Sequence, residues 1–271
     1  MLLSRWLIWW PKLAKQRVCN MMKPPVCFLF ACLLFLFQAF GQEKTALPQG
    51  GGKQVAVFVA LCDNEHQGIA PVPERIGNGN APTNNLYWGC SDALPKVMRA
   101  SKDWGRPVQY ADYRSKKPCV LDTVVCTRAD GAATLYAYAY RGDAMVQCLR
   151  DFEAALAGGM YDLVAFIGHN GLMDEDLPEL PPCNGGTDAI VLCCMSDEWF
   201  SSRIRNLGCR PVLMTQQFMY PAGKVLTETL SVWLKTPHNS KAIRAAAAKA
   251  YAANQGISVK AASGVFVAPT E

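Results

Sequence analysis

The chain has 271 residues, 51% of them apolar and 18% charged, with 12 Cys and a formal charge of +5. These values exclude a collagenous, low-complexity or disordered chain and leave ample apolar material for a core. The excess charge lies in residues 1–41, where Arg5, Lys12, Lys15, Arg17 and Lys23 meet no acidic residue; without these five, 22 of the 27 basic residues face 22 acidic ones. A balanced body gives no case for a nucleic-acid partner, which needs a concentrated basic surface.

The first element in chain order reads as an export signal. Lys23 precedes an unbroken apolar run from Val26 to Phe37, followed by Gln38-Ala39-Phe40-Gly41 and then polar Gln42-Glu43-Lys44, which is the order of a signal peptide. The 12 residues of the run span about 18 Å as a helix, short of the roughly 30 Å hydrocarbon core, so the segment predicts cleavage near Gly41 and no stable membrane anchor. Met21 and Met22 are alternative true starts. The expected organisation is a signal peptide over 1–41, a linker over 42–53 and a single domain over 54–271, exported to the periplasm or the exterior. Cys19, Cys27 and Cys32 leave with the signal, so nine cysteines remain. In an oxidising compartment that odd number predicts disulfides beside one free thiol. The absence of any C-x-x-C excludes a thioredoxin-type redox motif and the usual zinc-ribbon spacing.

Gln54 opens a run that is continuously apolar from Val55 to Leu61 and rich in Val, predicting a strand buried on both faces, as in a parallel sheet. A long Pro- and Gly-containing loop follows over 66–84, and then an expected helix from Asn85 to Trp104, broken at Pro95. Alternation predicts strands at 108–113, 120–126 and 133–140, with Tyr136, Tyr138 and Tyr140 marking one wet and one dry face. Met145, Val146, Leu149, Phe152 and Leu156 repeat at helical spacing before Gly158-Gly159. Strands at 162–167, 188–192 and 211–215, a helix from near Asp197, and two C-terminal helices, the last over 240–255, complete the pattern. Alternating strands and helices predict one α/β domain, a three-layer sandwich around a mostly parallel sheet.

In such a sheet ligands bind beyond the carboxyl ends of the strands. Asp63 follows the first strand, His169 follows the strand over 162–167, and Cys193-Cys194 follows the strand over 188–192. A thiolate nucleophile is favoured by a nearby imidazole and by the positive end of a following helix, although Asp197 and Glu198 in that helix work against it. His169 would then handle protons, and the Gly171 and Cys194 amides could hold an oxyanion. Gly77-Asn78-Gly79 satisfies neither the dinucleotide nor the P-loop pattern, and no G-x-S-x-G occurs. Asp63, Glu65 and His66 form only a local grouping, so neither a metal nor a cofactor is expected.

The stretches Phe166-Ile167-Gly168-His169 and Ile190-Val191-Leu192-Cys193-Cys194 resemble the caspase-like cysteine peptidases, which include gingipains, legumains, metacaspases and separases. In that family an apolar strand ends in His-Gly and a second ends in Ala-Cys. The resemblance covers roughly residues 53–215. It implies a caspase-like fold, a general acid/base role for His169, a nucleophilic role for Cys194 and a peptide or protein substrate. Asn170 stands where the family has Gly, which shifts the oxyanion donor to Gly171, and Cys193 stands where Ala is usual, so either thiol could be the reactive one. The family selects its substrate through an acidic pocket residue; Asp63, with Asn64 and Ser196, is the candidate set. The chain also resembles exported bacterial proteins of unassigned function through Asn85 to Gly89, Gly168 to Asp174 and Ala247 to Gln255. The expected activity is an exported cysteine hydrolase. The alternatives are a secreted binding protein on the same fold and an amidase or acyl transferase using the same His-Cys pair.

Overall fold

A computed structural model describes residues 52–109 and 116–267. The expected signal peptide, most of the linker and the end of the strand expected at 108–113 lie outside these residues. Lys53, expected as the last linker residue, opens the first strand.

The strands are β1 (Lys53–Ala60), β2 (Val108–Gln109), β3 (Val120–Thr127), β4 (Ala133–Tyr140), β5 (Leu163–Ile167), β6 (Asp188–Leu192), β7 (Arg210–Thr215) and β8 (Phe266–Val267). They form one eight-stranded sheet in the order β2-β3-β4-β1-β5-β6-β7-β8. The central strands β4, β1, β5, β6 and β7 run parallel, while β2, β3 and β8 add antiparallel edges. The structure is therefore α/β with a mixed, mostly parallel sheet. β1 is apolar on both faces because both are covered. Val55, Val57 and Val59 pack towards α1 (Leu94–Ala100), α4 (Gly223–Trp233) and α5 (Ser240–Gln255) through Met98, Leu226, Leu230 and Ala247. On the opposite face Phe58 lies 6.2 Å, ring to ring, from Phe152 of α2 (Met145–Ala157). Phe166 stacks 5.8 Å from Phe200 of α3 (Ser196–Asn206). A short α6 (Val259–Ser263) leads into β8.

Two sequence expectations are corrected. The helix expected from Asn85 is only the seven-residue α1, and Pro95 starts it rather than breaking it, since a first-turn proline lacks only an amide that the helix does not use. Residues 85–93 run as turns because the buried Asn85 side chain replaces helical hydrogen bonds. Its carbonyl accepts from the Cys62 amide at 3.0 Å and the Tyr87 amide at 3.1 Å, and its amide donates to the Cys62 carbonyl at 2.8 Å. The tyrosine stripe of β4 has no wet face, since every residue of the strand is buried. Each ring lies under protein while its hydroxyl finds a partner: Tyr140 donates to Asp151 at 2.7 Å and Tyr136 to Gln54 at 3.0 Å.

The expected disulfides are not formed: all nine cysteines of the described residues are unpaired. Cys62, Cys126, Cys148, Cys193 and Cys209 are buried and fill space as small apolar groups. Burial pushes the Cys62 and Cys126 thiols up from the ordinary 9.0 to about 11. The unfolded chain therefore releases these protons at lower pH than the native one, so their contribution to stability is full below pH 9 and is lost as pH rises through about 11. Urea unfolding should show a loss on the order of 1–3 kcal/mol between about pH 8 and 11 that a Cys62→Ala, Cys126→Ala double variant reduces. An unchanged pH dependence in that variant would contradict the assignment.

Candidate active site

The site is set by the register of β5 and β6. Ile167 pairs with Leu192, and the Gly168 amide donates to the Leu192 carbonyl at 3.3 Å, so the two chains leave the sheet side by side. His169 and Cys194 each stand two residues beyond that pair, on strands whose spacing is about 4.8 Å. Gly168 makes the exit possible. Its φ of +149° and its approach to the Ala60 carbonyl, 3.1 Å from where a Cβ would sit, both favour glycine. The two ends are then joined directly: the fully buried Asn170 donates from Nδ2 to the Cys194 carbonyl at 2.7 Å, and its Oδ1 accepts from the Leu172 amide at 3.2 Å.

Cys194 lies in a tight strand-to-helix turn. Met195, the N-cap of α3, has φ 52°, the sole non-glycine positive φ among the described residues. Backbone in that region costs on the order of 1–3 kcal/mol and persists only where the surroundings impose it. Here the connection after β7 imposes it: the Met195 amide donates to the Gln217 carbonyl at 3.2 Å, and the Met219 amide donates to Cys194 Sγ at 3.4 Å. The sulfur also lies 3.6 Å from the Met219 carbonyl. Cys194 is partly exposed, whereas Cys193 is fully buried and burial holds its thiol well above the usual range. Only Cys194 thus combines access to solvent with a backbone donor and the amino end of α3.

His169 is nearly buried, and its Nε2 lies 2.6 Å from Asp174 Oδ2. That oxygen also accepts from the Gly68 amide at 2.8 Å, so the connection after β1 reaches the histidine. No hydrogen bond joins the His169 ring to the Cys194 sulfur among the described residues. Tyr87 completes the surroundings of the thiol. Burial first, then the Cys62 and Cys194 thiols, keeps its phenol far above the ordinary range, so it remains a neutral hydroxyl.

The other candidate residues are held by the chain itself. The Gly171 amide donates to the His169 carbonyl at 3.0 Å. Asp63 is buried, accepts from the Glu65 amide at 2.9 Å and pairs with the half-exposed His66 at 3.1 Å. Asn64 forms a two-way bond with the Val72 backbone, 2.7 Å to the carbonyl and 3.0 Å from the amide. Ser196 is fully buried; its hydroxyl donates to the Val191 carbonyl at 2.9 Å and its amide donates to Thr215 Oγ1 at 3.0 Å. The structure therefore brings His169 and Cys194 to one edge and places Asp63, Asn64 and Ser196 in the framework around it. Residue-type reasoning missed Asp174 and the Met219 backbone. Among the described residues no group of three or more His, Cys, Asp or Glu converges as a metal site.

No protein-family model, curated protein or solved structure matches this chain.

Replacing Asn170 by Ala removes the tie between the strand ends and leaves the Cys194 carbonyl without its donor. Chemical denaturation should show a loss of about 1–3 kcal/mol, and a change within experimental error would contradict the structural role given to this side chain.

Proposed function

We propose that the protein is an exported, caspase-like cysteine hydrolase in which Cys194 attacks a peptide carbonyl and His169 moves the proton. The observation that carries this reading is the placement of a partly exposed thiol and a carboxylate-paired imidazole two residues beyond one strand pair. Composition alone does not lead to that arrangement. A carboxylate at Nε2 leaves the Nδ1 lone pair to take the thiol proton.

In the first half-reaction the Cys194 proton passes to His169 and the sulfur bonds to the carbonyl carbon. The C–N bond then breaks, and the leaving amine takes the proton from His169. In the second, water gives a proton to His169 and its oxygen bonds to the acyl carbon; the C–S bond breaks and the proton returns to sulfur. The oxyanion of each tetrahedral intermediate needs a donor. The Gly171 amide is already given to the His169 carbonyl, so the Cys194 amide, without a partner among the described residues, is the donor we assign. Proton transfer in this reading comes from transient approach of the His169 ring to the sulfur in the free protein, in keeping with the looser geometry of unliganded catalytic groups. The exposed Phe218, beside Met219, offers an apolar contact for the substrate.

One observation favours a second reading, a secreted binding protein on the same fold: the missing hydrogen bond between His169 and Cys194. Turnover separates the two. Incubation with a peptide library, followed by mass spectrometry of the products, should show cleavage by the native protein. Cys194→Ala and His169→Ala should reduce it by at least about 10³-fold. Cleavage at the native rate by both variants would overturn the hydrolase reading.

A further inference from the structure

The geometry points to Asp174 as the positioning residue of the His169–Cys194 pair, held in place by the connection that follows β1 through the Gly68 amide. This rests on the hydrolase reading and deepens it. Asp174 follows a single 3-10 turn, Gly171–Met173, so five residues of chain bring its carboxylate back to the histidine. Oδ2 receives two contacts, Nε2 of His169 at 2.6 Å and the Gly68 amide at 2.8 Å. A carboxylate shared in this way fixes the imidazole proton on Nε2, orients the ring and stabilises the imidazolium that forms when the thiol gives up its proton. The side chain of His169 is 9% exposed and that of Asp174 is 32% exposed. The ring is thus largely shielded from solvent, while the carboxylate that orients it is partly exposed.

Gly68 is itself anchored. The neighbouring Gln67 donates from Nε2 to the Leu61 carbonyl at 2.8 Å and to the Gly142 carbonyl at 3.3 Å, and its Oε1 accepts from the Asp63 amide at 3.2 Å. The position of Asp174 is therefore referred, through Gln67 and Gly68, to the ends of β1 and β4. A Cβ on residue 68 would sit 2.5 Å from Asp174 Oδ1, so alanine there would displace the carboxylate from its present place. Asp63 and Gln67, which carry no chemistry of their own in this reading, build the platform on which the histidine's partner rests.

The test uses the full exported chain and iodoacetamide as probe, with alkylation of each cysteine mapped by mass spectrometry at neutral pH. The exposed Cys183 serves as an internal reference. Asp174→Asn should slow alkylation of Cys194 by about ten-fold or more, as His169→Ala does, and leave Cys183 unchanged. Nitrogen-15 NMR of His169 should show the Nε2-protonated tautomer in the native protein and a mixed population in Asp174→Asn. Gly68→Ala should shift both readouts in the same direction. A native rate and tautomer in Asp174→Asn, with a slowed His169→Ala, would overturn the positioning role and leave the hydrolase reading standing. Equal Cys194 rates in the native protein and His169→Ala would overturn the reading itself. Reduced stability of Asp174→Asn with an unchanged tautomer would make the carboxylate a structural tie only and overturn the proposal.

Discussion

A single side chain, Asn170, joins the two strand ends on which the proposed chemistry depends. Its 2.7 Å hydrogen bond to the Cys194 carbonyl crosses from the end of β5 to the end of β6. Without it, the segment bearing the histidine and the segment bearing the thiol would share only strand pairing that ends at Ile167 and Leu192. Because Asn170 is fully buried, the bond is made out of water and its loss leaves polar groups unpaired. That position carries a tie, and the amide of the following Gly171 closes a turn onto His169.

The surrounding connections restrain this pair of ends. The β7 connection supplies the Met219 amide to the sulfur and the Gln217 carbonyl to Met195, which holds the positive φ at the start of α3. The β1 connection supplies the Gly68 amide to Asp174. Behind the site, Arg203 of α3 bonds Glu153 of α2 at 2.7 Å and the Leu177 carbonyl at 3.0 Å, fixing the segment that follows Asp174. The adjacent thiols are separated by environment more than by position: Cys193 faces the packed interior and keeps its proton, while Cys194 faces the edge.

The central strands were legible because continuous apolar runs bounded by polar residues have few alternatives to burial on both faces, and β1, β5, β6 and β7 all fall within a residue or two of expectation. The positions of His169 and Cys194 just beyond adjacent strand ends were legible for the same reason, since each follows such a run. The helix expected from Asn85 failed because one buried asparagine side chain outcompeted helical periodicity, which no local pattern reveals. The tyrosine stripe misled because alternation reports two different faces, whereas both are covered here. Asp174 was not legible as a partner of His169: its place depends on Gly68, 106 residues earlier in the chain. The cysteine number suggested pairing, but all nine thiols of the described residues are free, and five of them are buried as packing groups.

The central claim is that Cys194, activated by His169, is the nucleophile at the carboxyl edge of β6. It is tested most directly by treating the native protein with a peptidyl electrophile that reacts covalently with activated thiols and mapping the modified residue. The account expects one adduct, on Cys194, that forms far more slowly in the His169→Ala variant. An adduct on Cys193 or Cys183, or one on Cys194 that forms at an unchanged rate without His169, would contradict it.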